Sequence, residues 1–147
     1  MVMSDPLYSE TTGNVYLIPF RGQLIVAQVG MGGDLGVFDA LLQSPSERID
    51  ENVPLLFRVH FGRASPRKYR WKSLGLLPFL DNLREVEKYS FTEIGSDDHY
   101  IIKFGSEDTA VTSEEAGQYE PLATWSHEHI IDRFVKESKL VLPPETQ

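Results

Sequence analysis

The stretch GNVYLIPFRGQLIVAQVG, Gly13 to Gly30, decides the class of fold. Two runs rich in β-branched and aromatic residues flank Arg21-Gly22, a short turn containing glycine, and this pattern predicts a β-hairpin. Pro19 has no amide hydrogen to donate, so the first strand is expected to be an edge at that point. Both runs carry apolar residues on both faces, which places the hairpin beneath other elements rather than against water.

Working outward, GMGGDLG (30–36) reads as a flexible turn leading into VFDALL, a run too short for periodicity to assign. SPSERIDEN (44–52) is a polar loop or short helical turn. LLFRVHF is the cleanest strand: Leu55, Phe57, Val59 and Phe61 alternate with Leu56, Arg58 and His60, a half-buried pattern. GRASPRK (62–68) breaks it, and YRWKSLGLLPFL resumes as a strand or extended segment. Tyr89–Ile94 and His99–Phe104 flank Gly95-Ser96-Asp97-Asp98 and predict a second hairpin, with Tyr100, Ile102 and Phe104 on one face. GSEDTAVTSEEAGQ is a solvated acidic connection with room for a short strand. A helix is expected from about Ser126 to Lys139, stopped by Pro143-Pro144. Strands first and a helix last imply an α+β fold, a predominantly antiparallel sheet or partly open barrel with the C-terminal helix packed on it. Length and the lack of any linker predict one domain over 1–147, with an ordered core at about 11–142 and flexible ends.

The helix start, TWSHEHIIDRF (Thr124–Phe134), tempts a metal or acid/base reading because two of the four histidines flank a glutamate. Residues two apart on a helix diverge, so His127 and His129 do not converge on one ion, and a zincin pair would need histidine at Ile131. Ser126 is instead a good N-cap, with Trp125 and Ile130 at the spacing of a hydrophobic staple. This reading turns Ile130, Ile131, Phe134 and Val135 toward the sheet and leaves both histidines exposed.

Other chemistries fail on spacing. GMGGDLG lacks the Gly-x-Gly-x-x-Gly pattern and a Walker lysine, and Asp34 would repel phosphate. The carboxylates of DDHY and EDTAVTSEE do not follow a calcium loop, and no Gly-x-Ser-x-Gly elbow places a nucleophile. The chain has no cysteine, which excludes disulfides and thiolate sites and is compatible with a reducing cytoplasm. No apolar run approaches the ~20 residues of a membrane span, and the N-terminus lacks the form of a secretory signal. The expectation is a cytoplasmic protein that is not an enzyme, with no cofactor and no membrane partner.

Charge distribution supplies two candidate binding surfaces. The net charge is −8, yet residues 52–80 hold six bases and no acid. Within them Arg63, Arg67, Lys68, Arg70 and Lys72 interleave with Tyr69 and Trp71, a mixture found in protein hot spots and single-strand grooves. A structural reading competes, in which Trp71 anchors a strand in the core and the cations face out. The acidic overall balance disfavours nucleic acid. The second candidate is the acidic face of Asp97, Asp98, Glu107, Asp108, Glu114 and Glu115, suited to a cationic partner.

Taken in order, GNVYLIPFRGQLIVAQV, GVFD, PLLFRVHF, YRWKSLGLLPF and LATWSHEHIIDRF resemble the immunity protein 26 family of bacterial polymorphic-toxin and contact-dependent competition systems. The resemblance spans roughly residues 13–134 and rests on apolar and aromatic patches. It implies a mostly β fold and a non-catalytic role, binding a cognate toxin domain in the cytoplasm and blocking it. It transfers no interface residue. The alternative is a small module for an anionic ligand or nucleic acid that uses the strip 63–72.

Overall fold

The structure, a computed structural model, describes residues 12–145 apart from Asn82 and Phe104. The first hairpin forms as its pattern demands. Strands β1 (Asn14–Phe20) and β2 (Gln23–Val29) pair antiparallel from Val15–Gln28 to Phe20–Gln23. Arg21 and Gly22 both have positive φ, 48° and 81°, the twist that joins two right-twisted strands with two residues. VFDALL belongs to β3 (Leu35–Leu42), and LLFRVHF is β4 (Leu55–Phe61). After a four-residue helix α1 (Ser65–Lys68) the chain returns as β5 (Lys72–Leu76), alongside β1. β5 reaches only as far as Leu17, so Pro19 lies beyond its pairing and β1 is an edge there.

The second hairpin is β6 (Lys88–Thr92) and β7 (His99–Lys103), followed by β8 (Thr109–Val111) and a one-turn helix α2 (Ser113–Ala116). β6 stops two residues short of the expected Ile94, which moves into the loop. Tyr100 and Ile102 share a face, pairing with Phe91 and Tyr89, while Phe104 lies outside the described residues. Two short strands follow, β9 (Glu120–Pro121) and β10 (Thr124–Trp125), and then helix α3 (His127–Glu137). The result is an open six-stranded sheet, β10-β4-β3-β2-β1-β5, and a four-stranded sheet, β8-β7-β6-β9. All pairings are antiparallel except β10 with β4 and β9 with β6. The fold is α+β, with open sheets rather than a closed barrel. The end positions of the expected core are covered in part, since residue 11 lies outside the described range.

Both faces of the large sheet are covered, as the doubly apolar first hairpin requires. On one face Ile18, Phe20, Ile25, Phe57, Val59, Phe61 and Trp71 pack with Ile130 and Phe134 of α3. On the other, Val15, Leu17, Val26, Phe38 and Leu42 lie under Val53 and Leu83. A register shift between Val37 and Phe38 sends Leu55 to the second cluster and Leu56 to the first, so the alternation expected in β4 holds only from Phe57 onward. α3 is tied at both ends. The Ser126 hydroxyl accepts from the His129 amide at 3.2 Å, and Trp125 and Ile130 pack into the same cluster. At the far end Asp39 of β3 accepts from the Ser138 hydroxyl and the Lys139 amide, at 2.6 and 3.0 Å. Val135, expected to face the sheet, sits at the margin of the apolar stripe and is exposed.

Burial of the second face has a consequence for β4. Arg58, expected on the open face of a half-buried strand, is enclosed, and its guanidinium makes a two-pronged pair with Asp34, Nε to Oδ2 and Nη2 to Oδ1, each 2.9 Å. Nη1 and Nη2 also donate to the carbonyls of Glu85 and Met31, and the Tyr89 hydroxyl of the small sheet donates to Asp34. The GMGGDLG turn is therefore pinned rather than flexible, since a buried charge requires paired, hydrogen-bonded surroundings. Gly30 is the point of closest approach: a Cβ there would lie 2.8 Å from Arg58 Nη2 and 3.1 Å from the Leu83 carbonyl.

Candidate functional site

The basic-aromatic strip divides by chemistry. The Ser65 amide donates to the Gly62 carbonyl, α1 makes one turn, and Arg70 takes a left-handed φ of 58°, which re-aims the chain into β5. Trp71 is swept into the core at 6% exposure, edge-on to Tyr16 and tilted against Phe61. Its Nε1 donates to His127 Nδ1 at 3.0 Å. Tyr69 stacks flat on His127, centroids 4.1 Å apart, and its hydroxyl donates to Glu128 at 2.6 Å. Both aromatics are thus spent on docking the strip against the first turn of α3, which settles the competition between the two readings of Trp71.

The cations stay outside. Arg63 lies over the Phe61 ring and donates to the Gly33 carbonyl at 3.1 Å, Lys68 lies over the Tyr69 ring, and Arg67 and Arg70 are exposed. Their spacing presents charge without an available aromatic platform.

His127 corrects the sequence reading. It is half-buried and an acceptor, and burial pushes its imidazole below the ordinary value, with Glu128 pulling in the opposite direction. His129 is exposed, with its ring edge-on to Trp125, so the two histidines diverge as their spacing requires. Among the described residues no group of three or more His, Cys, Asp or Glu is placed to hold a metal ion. The Tyr69 hydrogen bond lowers the Glu128 carboxyl, and hydroxyl donation to that carboxylate raises the phenol.

The acidic candidates are all exposed, and the structure gathers only some of them. Asp97 and Asp98 lie in the β6–β7 loop, closed by the Glu93 amide donating to the Asp98 carbonyl at 3.0 Å. Asp98, Glu93 and Asp108 together hold the Tyr100 phenol above its ordinary value, Asp98 foremost. Asp98 and Asp108, ten positions apart, therefore share one electrostatic neighbourhood. Glu107 adjoins Asp108 at the entry to β8. Glu114 and Glu115 sit on α2, where Glu115 is occupied in a capping box: its carboxylate accepts from the Thr112 amide and its amide donates to the Thr112 hydroxyl, both at 3.1 Å. That residue has a structural use which the charge count did not show.

At the tip of the same loop stands Ile94, 96% exposed, between Glu93 and Gly95, with Phe91 also exposed on the strand behind it. Sequence reasoning placed Ile94 in the strand. The signal that could have found it is Gly95, whose φ of 89° suits the third position of a turn closed by the Ser96 amide donating to the Glu93 carbonyl, which puts Ile94 inside the turn. No helix among the described residues is long and apolar enough to cross a membrane. Compared with protein-family models, curated proteins and solved structures, the chain has no match.

Proposed function

We propose that the chain is a non-catalytic immunity protein that binds a cognate bacterial toxin domain in the cytoplasm and blocks it. The observation that supports this reading best is the β6–β7 tip. An isoleucine with almost its whole side chain in water stands at the tip of a loop that also carries Glu93, Asp97 and Asp98, with Asp108 in the electrostatic neighbourhood of Tyr100 behind it. A water-exposed apolar anchor bordered by like charges suits a protein partner with a socket and a cationic rim, the anchor supplying buried area and the rim steering encounter. Support also comes from the resemblance of the quoted patches to the immunity protein 26 family.

The direct test is co-expression with the C-terminal domain of any large secreted protein encoded beside it. Restored growth and a stoichiometric complex on gel filtration are expected. Continued killing with no complex would reject the proposal. The anionic-ligand or nucleic-acid alternative loses its stacking platform, because Trp71 is enclosed and hydrogen-bonded to His127. It retains the exposed cations Arg63, Arg67, Lys68, Arg70 and Lys72.

A further inference from the structure

The face of the large sheet away from α3 carries a second feature. β5 leads into an extended segment whose side chains form one wall of a groove of about 340 Å³. Leu74, Leu77, Phe79 and Leu80 line that wall, and Ile49 lines the other from the loop after β3. Leu77 in this wall is 41% exposed and Leu76, next to it in the chain, 60%. The wall is preformed. Buried Gln28 holds it, with Nε2 3.1 Å from the carbonyls of Leu77 and Pro78 and Oε1 accepting from the Leu80 amide at 2.8 Å.

Charge decides the occupant. Glu47 and Glu51 line the groove and are exposed, and among the described residues no cation lines it; exposed Arg48, between them in sequence, lines the adjoining hollow with Asp50, Glu51 and Asn52, so the border stays net acidic. Glu47 spends one oxygen on the Gln43 amide, leaving its charge in place. An exposed apolar surface rimmed by polar, net-acidic residues suits an interaction site. Strand addition to β5 is disfavoured, because the register shifts opposite Val15 and Tyr16 and Gly75 takes a φ of 87°, irregularities that blunt a sheet edge. Recognition must then run through side chains.

We propose that this groove docks a cationic amphipathic segment of a partner protein, aliphatic side chains seating along Leu74–Leu80 and Lys or Arg pairing with Glu47 and Glu51. The site does not use the β6–β7 tip, so it stands or falls independently of the toxin-binding reading. It gives the chain a second, separately addressable surface.

The probe is a synthetic dodecapeptide of Leu and Lys at amphipathic helical spacing, titrated into the ¹⁵N-labelled full chain. Two controls accompany it, one with Glu for Lys and one with Ser for Leu. Amide shifts centred on 47–51 and 74–80 are expected, with affinity falling as salt rises and neither control binding comparably. Leu76→Ser with Leu77→Ser should weaken binding about tenfold, from lost apolar contact. Both residues are exposed, so the remaining spectrum should be unchanged. Glu47→Gln with Glu51→Gln should weaken it severalfold and flatten the salt dependence. Shifts centred on 93–98, equal binding of the Ser control, or concentration-dependent self-association that occupies the groove would each overturn the proposal.

Discussion

Trp71 Nε1 and His127 Nδ1 lie 3.0 Å apart and join the start of β5 to the first turn of α3. The indole can only donate, so His127 must keep Nδ1 free of a proton. Protonating that nitrogen would set donor against donor inside a partly buried site. Burial lowers the His127 imidazole, and burial is also the largest cause of the lowered His60 imidazole. A folded value below the unfolded one means the unfolded chain binds protons first. The associated stability is whole above about pH 6.5 and is lost as pH falls through the folded values. The urea midpoint should therefore drop between pH 7.5 and 5.5. His127→Asn, which keeps an acceptor but does not titrate, should drop less, and an equal drop would exclude His127 as a contributor. Trp71→Phe should cost about 1 kcal/mol for the lost hydrogen bond, with a further cost for the smaller ring.

Arg58→Met removes the counterion of an enclosed Asp34 and should destabilise by about 3–5 kcal/mol. The double variant Asp34→Asn/Arg58→Met should lose less than Arg58→Met alone, which a double-mutant cycle in urea measures. Simple additivity would show that the pair does not interact energetically. Gly30→Ala tests the same site by volume, because its Cβ would meet Arg58 Nη2 at 2.8 Å.

Helix capping yields two independent checks. Ser126→Ala and Thr112→Ala each remove a side-chain acceptor from an N3 amide and should cost about 1 kcal/mol. Reversing Glu115 should lower stability through the capping box, whereas reversing Glu114 should not. Thermal midpoints of the four variants separate these outcomes.

At the tip, charge and anchor should act on different rate constants. If the proposed toxin domain docks here, reversing Asp97, Asp98 and Asp108 together should slow association with it about tenfold at low salt and little at high salt. Ile94→Ser should leave the on-rate unchanged and speed dissociation. Stopped-flow at two ionic strengths distinguishes them, and an unchanged on-rate in the charge-reversed variant would reject this face.

Local pattern made the two hairpins, β4 and the α3 cap legible, because each depends on neighbours within a few residues. Gly13–Gly30 even announced that both faces of its sheet would be covered. What the pattern could not state was the identity of the cover. Arg58 alternates correctly with Phe57 and Val59, but its burial depends on Leu83 and Glu85 closing over it and on Asp34, 24 positions earlier, facing it. His127 escaped for the same reason. Its role was set by Trp71, 56 positions away, and not by the helix it begins. The acidic face was legible as charge, but the grouping of Asp98 with Asp108 and the occupation of Glu115 by its own helix were not.

β9 and β10 lie only two residues apart, yet β9 closes the edge of the small sheet against β6 and β10 closes the edge of the large one against β4. A ribosome releasing this chain from its N-terminus therefore exposes two unsatisfied strand edges until residues 120–125 emerge, and then seals both almost at once. Pairing of these two edges during synthesis is concentrated in one late six-residue stretch, ahead of the helix that covers the large sheet, and a pause in translation just before it would prolong their exposure to wrong pairing.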